Sequence, residues 1–166
     1  MLRCLCDLRS MSKRDRFASR LVAAGLLALM CTVGSAYAQV SNRDQCIAGA
    51  AAHYLVHPYL IRAVLRQEGG RVGAVSWNKN HTYDIGPMQI NSEHLAELAQ
   101  YGITRDALLT NECLNILIGT WYLKRELVAT PNLWVGIGNY HSHTASLNTE
   151  YQWDVWKRLR EVENGQ

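Results

Sequence analysis

Apolar residues recur at helical spacing over most of the chain beyond residue 43, and the places where that rhythm stops divide it into elements. Ile47, Ala50, Ala51 and Tyr54 mark one face of a helix expected over 44–54. Pro58 suits the first turn of a second helix, whose stripe of Leu60, Ile61, Val64 and Leu65 runs to the helix-ending pair Gly69-Gly70. From 71 to 90 the periodicity disappears and Gly, Asn, Ser and Thr accumulate, which predicts a long loop or a small irregular hairpin. A stretch of that length inside a compact domain tends to be functional. Ser92 is placed to cap a short helix through 99, ended by Gly102, and Thr104 to cap another brief turn. Leu114, Leu117, Ile118, Trp121 and Leu127 predict a strong central helix over 113–128. Pro131 closes that segment, a further helix starts over 133–140, and a last one spans 149–162 with Val155, Trp156 and Leu159 facing inward. The pattern is mostly α, with at most a minor β element between 71 and 90.

The first 38 residues follow a different rule. A basic stretch from Met11 precedes the apolar run Leu21 to Met30, and Ala36-Tyr37-Ala38 supplies the small-x-small pattern of a signal-peptidase site. Its 13 or so apolar residues fall short of the roughly 20 that span a bilayer. Residues 1–38 therefore read as a signal peptide cleaved after Ala38, with Met11 as an alternative start. Residues 39–166 read as one exported or periplasmic domain with no stable membrane span after cleavage. No repeat, low-complexity tract or Pro/Ser-rich linker interrupts it.

Removing the leader changes the electrostatic picture. The formal charge of the whole chain is +3, but the leader holds six of the basic and two of the acidic residues. From Gln39 onward 11 Lys/Arg face 12 Asp/Glu, a net charge of −1 with no basic run, which argues against nucleic acid as a partner. Cys4, Cys6 and Cys31 leave with the leader. Cys46 and Cys113 remain, and two cysteines in an exported chain read as one disulfide, the alternative being two separate buried thiols.

Chemistry concentrates in two segments. The run LRQEGG places Glu68 on the last turn of an apolar helix, where the negative end of the helix dipole disfavours a carboxylate. Desolvation beside Val64 and Leu65 works in the same direction, so the site is a physical route to a glutamic acid that keeps its proton near neutral pH. The alternative is a solvated surface glutamate. About 20 residues on, Tyr83-Asp84-Ile85-Gly86-Pro87-Met88-Gln89-Ile90-Asn91 offers amides and a thioether suited to sugar hydroxyls and ring faces, or to satisfying loop backbone.

Together these segments resemble the lysozyme-like lytic transglycosylases. The features are a Glu-Gly-Gly helix end, then D-I-G-x-M-Q-I-N-S, then Cys113-Leu114-Asn115-Ile116, then Trp134 to Asn139-Tyr140, covering about 46–140. The small exported members accompanying type III and type IV secretion, conjugation and pilus assembly are the most similar. The resemblance implies a lysozyme-like single domain with its small irregular loop or β element beside the active-site cleft. It implies Glu68 as catalytic acid/base, Met88 and Gln89 in the cleft, and Tyr140 pointing at the glutamate. Asn91 and Trp77 are further candidates for sugar contact. Three positions depart from the family pattern: Gly69 for serine, Pro87 for leucine and His141 for asparagine.

The implied substrate is peptidoglycan, cleaved between N-acetylmuramic acid (MurNAc) and N-acetylglucosamine (GlcNAc) without a cofactor, with secretion, conjugation or pilus components as partners. Two rivals stand beside this reading. One is a hydrolytic lysozyme that uses Asp84, 16 residues after Glu68, as a second carboxylate, although Asp84 also suits a loop carboxylate bonded to nearby backbone amides. The other is a non-catalytic glycan-binding assembly subunit. His141 and His143 are spaced like a ligand pair, but the remaining histidines are scattered and no zinc-type spacing occurs, so no metal is expected. Trp121, Trp134, Trp153 and Trp156 fall at helical spacing and are expected in the core, leaving Trp77 as the candidate sugar platform.

Overall fold

The computed structural model describes residues 42–165, and the expected leader lies outside the described residues. Among the described residues seven α-helices and one small sheet follow in order, α1 being Asn42–Tyr54. Helix α2, Pro58–Glu68, starts with proline in its first turn, and the His57 ring accepts a hydrogen bond from the Tyr59 N–H. Leu60, Ile61, Ala63, Val64 and Leu65 are all buried, so the expected stripe is the core face of this helix. Gly69 ends it at φ 63°, a left-handed conformation suited to glycine, and its N–H bonds the Leu65 carbonyl at 3.1 Å.

The segment without periodicity forms a three-stranded antiparallel sheet: β1 Val75–Trp77, β2 Tyr83–Ile85 and β3 Ile90–Asn91. Val75 lies opposite Ile85, and Asp84 opposite Asn91. The β2–β3 connection is the G-x-M-Q run. Gly86 has φ 67°, and a Cβ there would collide with the Asn115 amide. Gln89 adopts a left-handed φ of 47° without being glycine, a strained geometry that tends to gather at functional sites.

A 3₁₀ turn, Ser92–His94, leads into α3, Leu95–Ala99, and α4, Arg105–Thr110, follows. Asn91 caps the 3₁₀ turn by accepting from the Glu93 N–H, in place of the expected Ser92, while Thr104 caps α4 as expected. The central helix α5, Glu112–Ala129, packs against α1, α4 and α6, Leu133–His141. Helix α7, Ala145–Glu163, packs on α6 and α2. It starts four residues before the expected 149, because Asn148 is buried there against Gly138 and donates to the Val135 carbonyl and the Asn139 side chain. Two tryptophans correct the expected core: Trp153 and Trp156 are 59% and 43% exposed on α7, while Trp121 and Trp134 pack against the core.

Cys46 of α1 and Cys113 of α5 form a disulfide across 67 residues, with Cα atoms 4.8 Å apart. Closing a loop of that length restricts the unfolded chain by ~4 kcal/mol in the entropy model, with measured values more often 2–4. A Cys46→Ser/Cys113→Ser variant should therefore melt on the order of 10 °C lower. A calorimetric scan checks this, and an unchanged melting temperature would contradict it.

Candidate active site

Glu68 is the last residue of α2, and the local sequence dictates its setting. The helix has no choice but to end there, since Gly69 turns left-handed and Gly70 presses against the β2–β3 loop. A Cβ on Gly70 would collide with the Gly86 carbonyl and the Gln89 amide, so only glycine lets the two segments meet. Around this junction lies a cleft of about 290 Å³, with Glu68, Asp84, Gln89 and Tyr140 in its wall. Glu68 and His141 also border an adjoining recess of about 250 Å³ toward α7. Glu68 thus lines both of two adjoining hollows.

Its protonation follows from its surroundings. Burial pushes the Glu68 carboxyl up from 4.5 to about 7; a hydrogen bond from the Tyr151 hydroxyl pulls it down, and the negative charge of Asp84 raises it further. Tyr140 and Tyr151 are both held well above the usual phenol value, chiefly by burial and then by the Glu68 charge. Both therefore stay neutral donors at physiological pH.

The residues singled out in the sequence fall into different roles. Tyr140 lies close enough to feel the Glu68 charge, but its hydroxyl donates to the Met88 carbonyl at 2.8 Å. Gln89 lines the cleft and donates to the Gly86 carbonyl at 2.8 Å. Met88 is a correction. Its side chain is fully buried against Gly119, so the thioether supports the loop from beneath instead of facing the cleft. Asn91 lines the cleft, but its amide donates to Asp84 at 2.8 Å and to Thr82 at 3.2 Å. Asn78 donates to the other Asp84 oxygen at 2.9 Å. Asp84 is thus clamped by two side-chain amides, where backbone amides were expected. Trp77 is 72% exposed and packs on Tyr83, outside the residues that wall the cleft.

Sequence reasoning missed Tyr151, and a signal for it existed: it lies one helical turn before Val155 on the buried stripe of α7. His141 stacks on its ring with centroids 5.0 Å apart. His94 and Tyr122 were also missed as a pair. They stack at 4.1 Å in the cleft wall, and burial lowers the His94 pKa. Among the described residues no group of three or more His, Cys, Asp or Glu is arranged to hold a metal ion. No described helix is long and apolar enough to cross a membrane.

Tyr151 positions the carboxyl group and lowers its proton affinity, so Tyr151→Phe has a signed outcome. Glu68 should hold its proton to higher pH, and the alkaline limb of activity should move upward. Loss of a hydrogen bond to a charged group should cost roughly tenfold in kcat/KM. A pH–rate profile reads both, and a fall in rate with an unmoved limb would assign Tyr151 to packing alone.

A mostly helical domain with a buried glutamic acid between a small sheet and a helix bundle is a lysozyme-like arrangement. Residues 45–158 match the family model described as the transglycosylase SLT domain, and the chain belongs to that family. It is 33% identical over 105 residues to an X polypeptide of Escherichia coli (strain K12), a match covering 63% of this chain and 62% of that protein. It is 31% identical over 134 residues to a peptidoglycan-binding-like protein of Escherichia coli O157:H7, covering 72% and 80%. Invasion protein IagB of Salmonella typhimurium (strain SL1344) is 26% identical over 122 residues, covering 70% and 76%.

Proposed function

We propose that this protein is a peptidoglycan lytic transglycosylase that cuts the β-1,4 bond between MurNAc and GlcNAc. The observation that carries the reading is the carboxyl group of Glu68, raised to about 7 by burial at the junction of two recesses. A protonated acid at that point donates to the glycosidic oxygen as the C1–O bond breaks and positive charge develops on the MurNAc ring. Glu68, now a carboxylate, takes the proton from the MurNAc C6 hydroxyl as that oxygen attacks C1. The products are a GlcNAc end and a 1,6-anhydro-MurNAc end, and Glu68 regains its proton without water or cofactor. Tyr151 holds the carboxyl group in place through both steps. Digestion of purified sacculi followed by mass spectrometry tests this: anhydro ends are expected, and reducing ends would overturn it.

One observation favours a second reading, hydrolysis by a Glu68–Asp84 pair. Asp84 stands in the same cleft, clamped by Asn78 and Asn91, and its charge is felt by Glu68. Asp84→Asn separates the two. If Asp84 only orders the cleft and tunes Glu68, the variant keeps anhydro products and loses less than about tenfold in rate. If Asp84 stabilises the sugar cation or traps it, the loss reaches about 10²-fold or more and the wild type releases reducing ends.

Export by the 1–38 leader would deliver the domain to the periplasm, where this polymer lies. Local wall opening for an envelope-spanning apparatus fits the resemblance to the secretion, conjugation and pilus class. An invasion protein and a peptidoglycan-binding-like protein among the relatives fit the same setting.

A further inference from the structure

Helix α7 carries a feature that neither the core nor the cleft uses. Trp153 and Trp156 are 59% and 43% exposed and stand apart from the hydrophobic core cluster. Their rings meet nearly at right angles, at 81° with centroids 5.8 Å apart, so one indole forms a floor and the other a wall. Half-buried Trp134 of α6 completes a pocket of about 400 Å³, whose only other lining residues are Asn132 and Gln152. That volume lies in the range of roughly 300–1,000 Å³ typical of small-ligand sites. The pocket shares no lining residue with the cleft or its adjoining recess.

Helix geometry separates the two sites. Tyr151 and Asp154 border the recess on one flank of α7, while Gln152, Trp153 and Trp156 lie around the other flank. Neighbouring outward positions carry the charged pairs ordinary for a solvated helix face, Lys157–Asp154 and Arg160–Glu163. Two tryptophans in that company expose apolar area that a solvated face avoids.

The lining chemistry selects the ligand. Indole faces stack on the C–H faces of pyranose rings, and primary amides hydrogen-bond hydroxyl and acetamido groups. The pocket holds three indoles, two amides, no charge and no aliphatic side chain. The adjacent groove is different: aliphatic Leu55, Leu60, Val128, Leu133 and Ile137 line it together with charged Lys124 and Glu163, and Trp134 alone borders both.

We propose that the Trp134–Trp153–Trp156 pocket is a second carbohydrate site, which holds an N-acetylated glycan strand of the wall while the Glu68 cleft works on another. The identity of the polymer rests on the function proposed above. A wall presents many strands at once, so a second contact raises retention through effective concentration without any change in the cleft.

The test uses the whole chain in its Glu68→Gln form, which leaves the strand uncut. Co-sedimentation with purified sacculi should weaken about tenfold when Trp153→Ala and Trp156→Ala are added. Trp153→Phe/Trp156→Phe should retain most of the binding. With Glu68 intact, the alanine pair should cleave short soluble peptidoglycan fragments within about twofold of the wild-type rate, since one cleft suffices for them. Titration with a GlcNAc hexamer should shift the indole N–H resonances of Trp153 and Trp156 in the Glu68→Gln form. Unmoved indoles at hexamer concentrations that fill the cleft would overturn the proposal and leave the pocket to a protein contact. Equal loss of sacculus binding and short-fragment cleavage, with a lowered melting temperature, would also overturn it, because the indoles would then only hold the fold. A wild-type chain that cuts nothing yet binds sacculi through these tryptophans would sink the catalytic reading and uphold this one.

Discussion

Glu68→Gln should lower kcat/KM on peptidoglycan by about 10³-fold or more while making the protein more stable at alkaline pH. On the proposed mechanism the rate effect follows from removing the group that gives and then recovers the proton; general acid–base catalysis contributes about 10²–10⁴-fold. The stability effect follows from the raised proton affinity. Unfolded, Glu68 ionises near 4.5; folded, it holds its proton to about 7. Below pH 4.5 both states are protonated and the side chain imposes no penalty. Between these values the folded state binds more protons than the unfolded one, so stability falls as pH rises and levels off above 7. The interval corresponds to a penalty on the order of 3 kcal/mol once the buried carboxylate is charged. Glutamine keeps the shape, can accept the Tyr151 hydroxyl and never ionises. The variant should therefore match the wild type near pH 4 and melt on the order of 10 °C higher at pH 8. Calorimetry at the two pH values and a sacculus-clearing assay read the pair of effects. Retained activity would show that Glu68 is not the acid of the reaction. A melting difference independent of pH would mean that Glu68 is not held protonated by burial.

That glutamate was legible because its position is electrostatically awkward. A carboxylate on the last turn of an apolar helix needs a reason, and Pro58 and Gly69 mark the ends of that helix without any structure. The helices were legible for the same kind of cause, with apolar stripes punctuated by caps. The sheet was visible only as an interruption, because strands of two and three residues are too short for alternation to register. Side-chain bonds back up its short backbone ladder, as with Asp84 between two asparagines, and such bonds leave no periodic trace. Tyr151 lies 83 residues from the carboxyl group it bonds, a distance no local pattern spans. Met88 and the α7 tryptophans misled in opposite directions. Gly119 opens the space that draws the thioether inward, while Trp156, adjacent to buried Val155, lies about 100° around the helix and so faces out.

Asn115 should be the residue on which the loop beneath the site depends most. It is fully buried on α5, and its side-chain oxygen accepts from the Met88 N–H at 2.8 Å. Its amide nitrogen donates to the Ile85 carbonyl at 2.9 Å and the Leu108 carbonyl at 3.2 Å. Through these bonds the Asn115 side chain ties the G-x-M-Q turn to α5 and to the Leu108 carbonyl of α4. Asn115→Ala leaves all three backbone groups without this partner, and at about 1–3 kcal/mol each the loss is roughly 3–9 kcal/mol. Activity should fall as well at temperatures where the variant remains folded. The same turn carries Gln89 in its left-handed conformation and presents the Met88 carbonyl to Tyr140, so a slack turn loosens the cleft wall beside Glu68. Asn115→Asp sharpens the test. Its carboxylate can still accept from Met88 but faces two carbonyl oxygens, and burial favours its protonated form, which restores one donor. Its deficit in melting temperature should therefore shrink as pH falls from 7 toward 4, whereas that of Asn115→Ala, relative to the wild type, should not. Comparable melting of all three proteins at pH 7 would show that the turn holds itself, and that the polar bridge from α5 does not position the cleft.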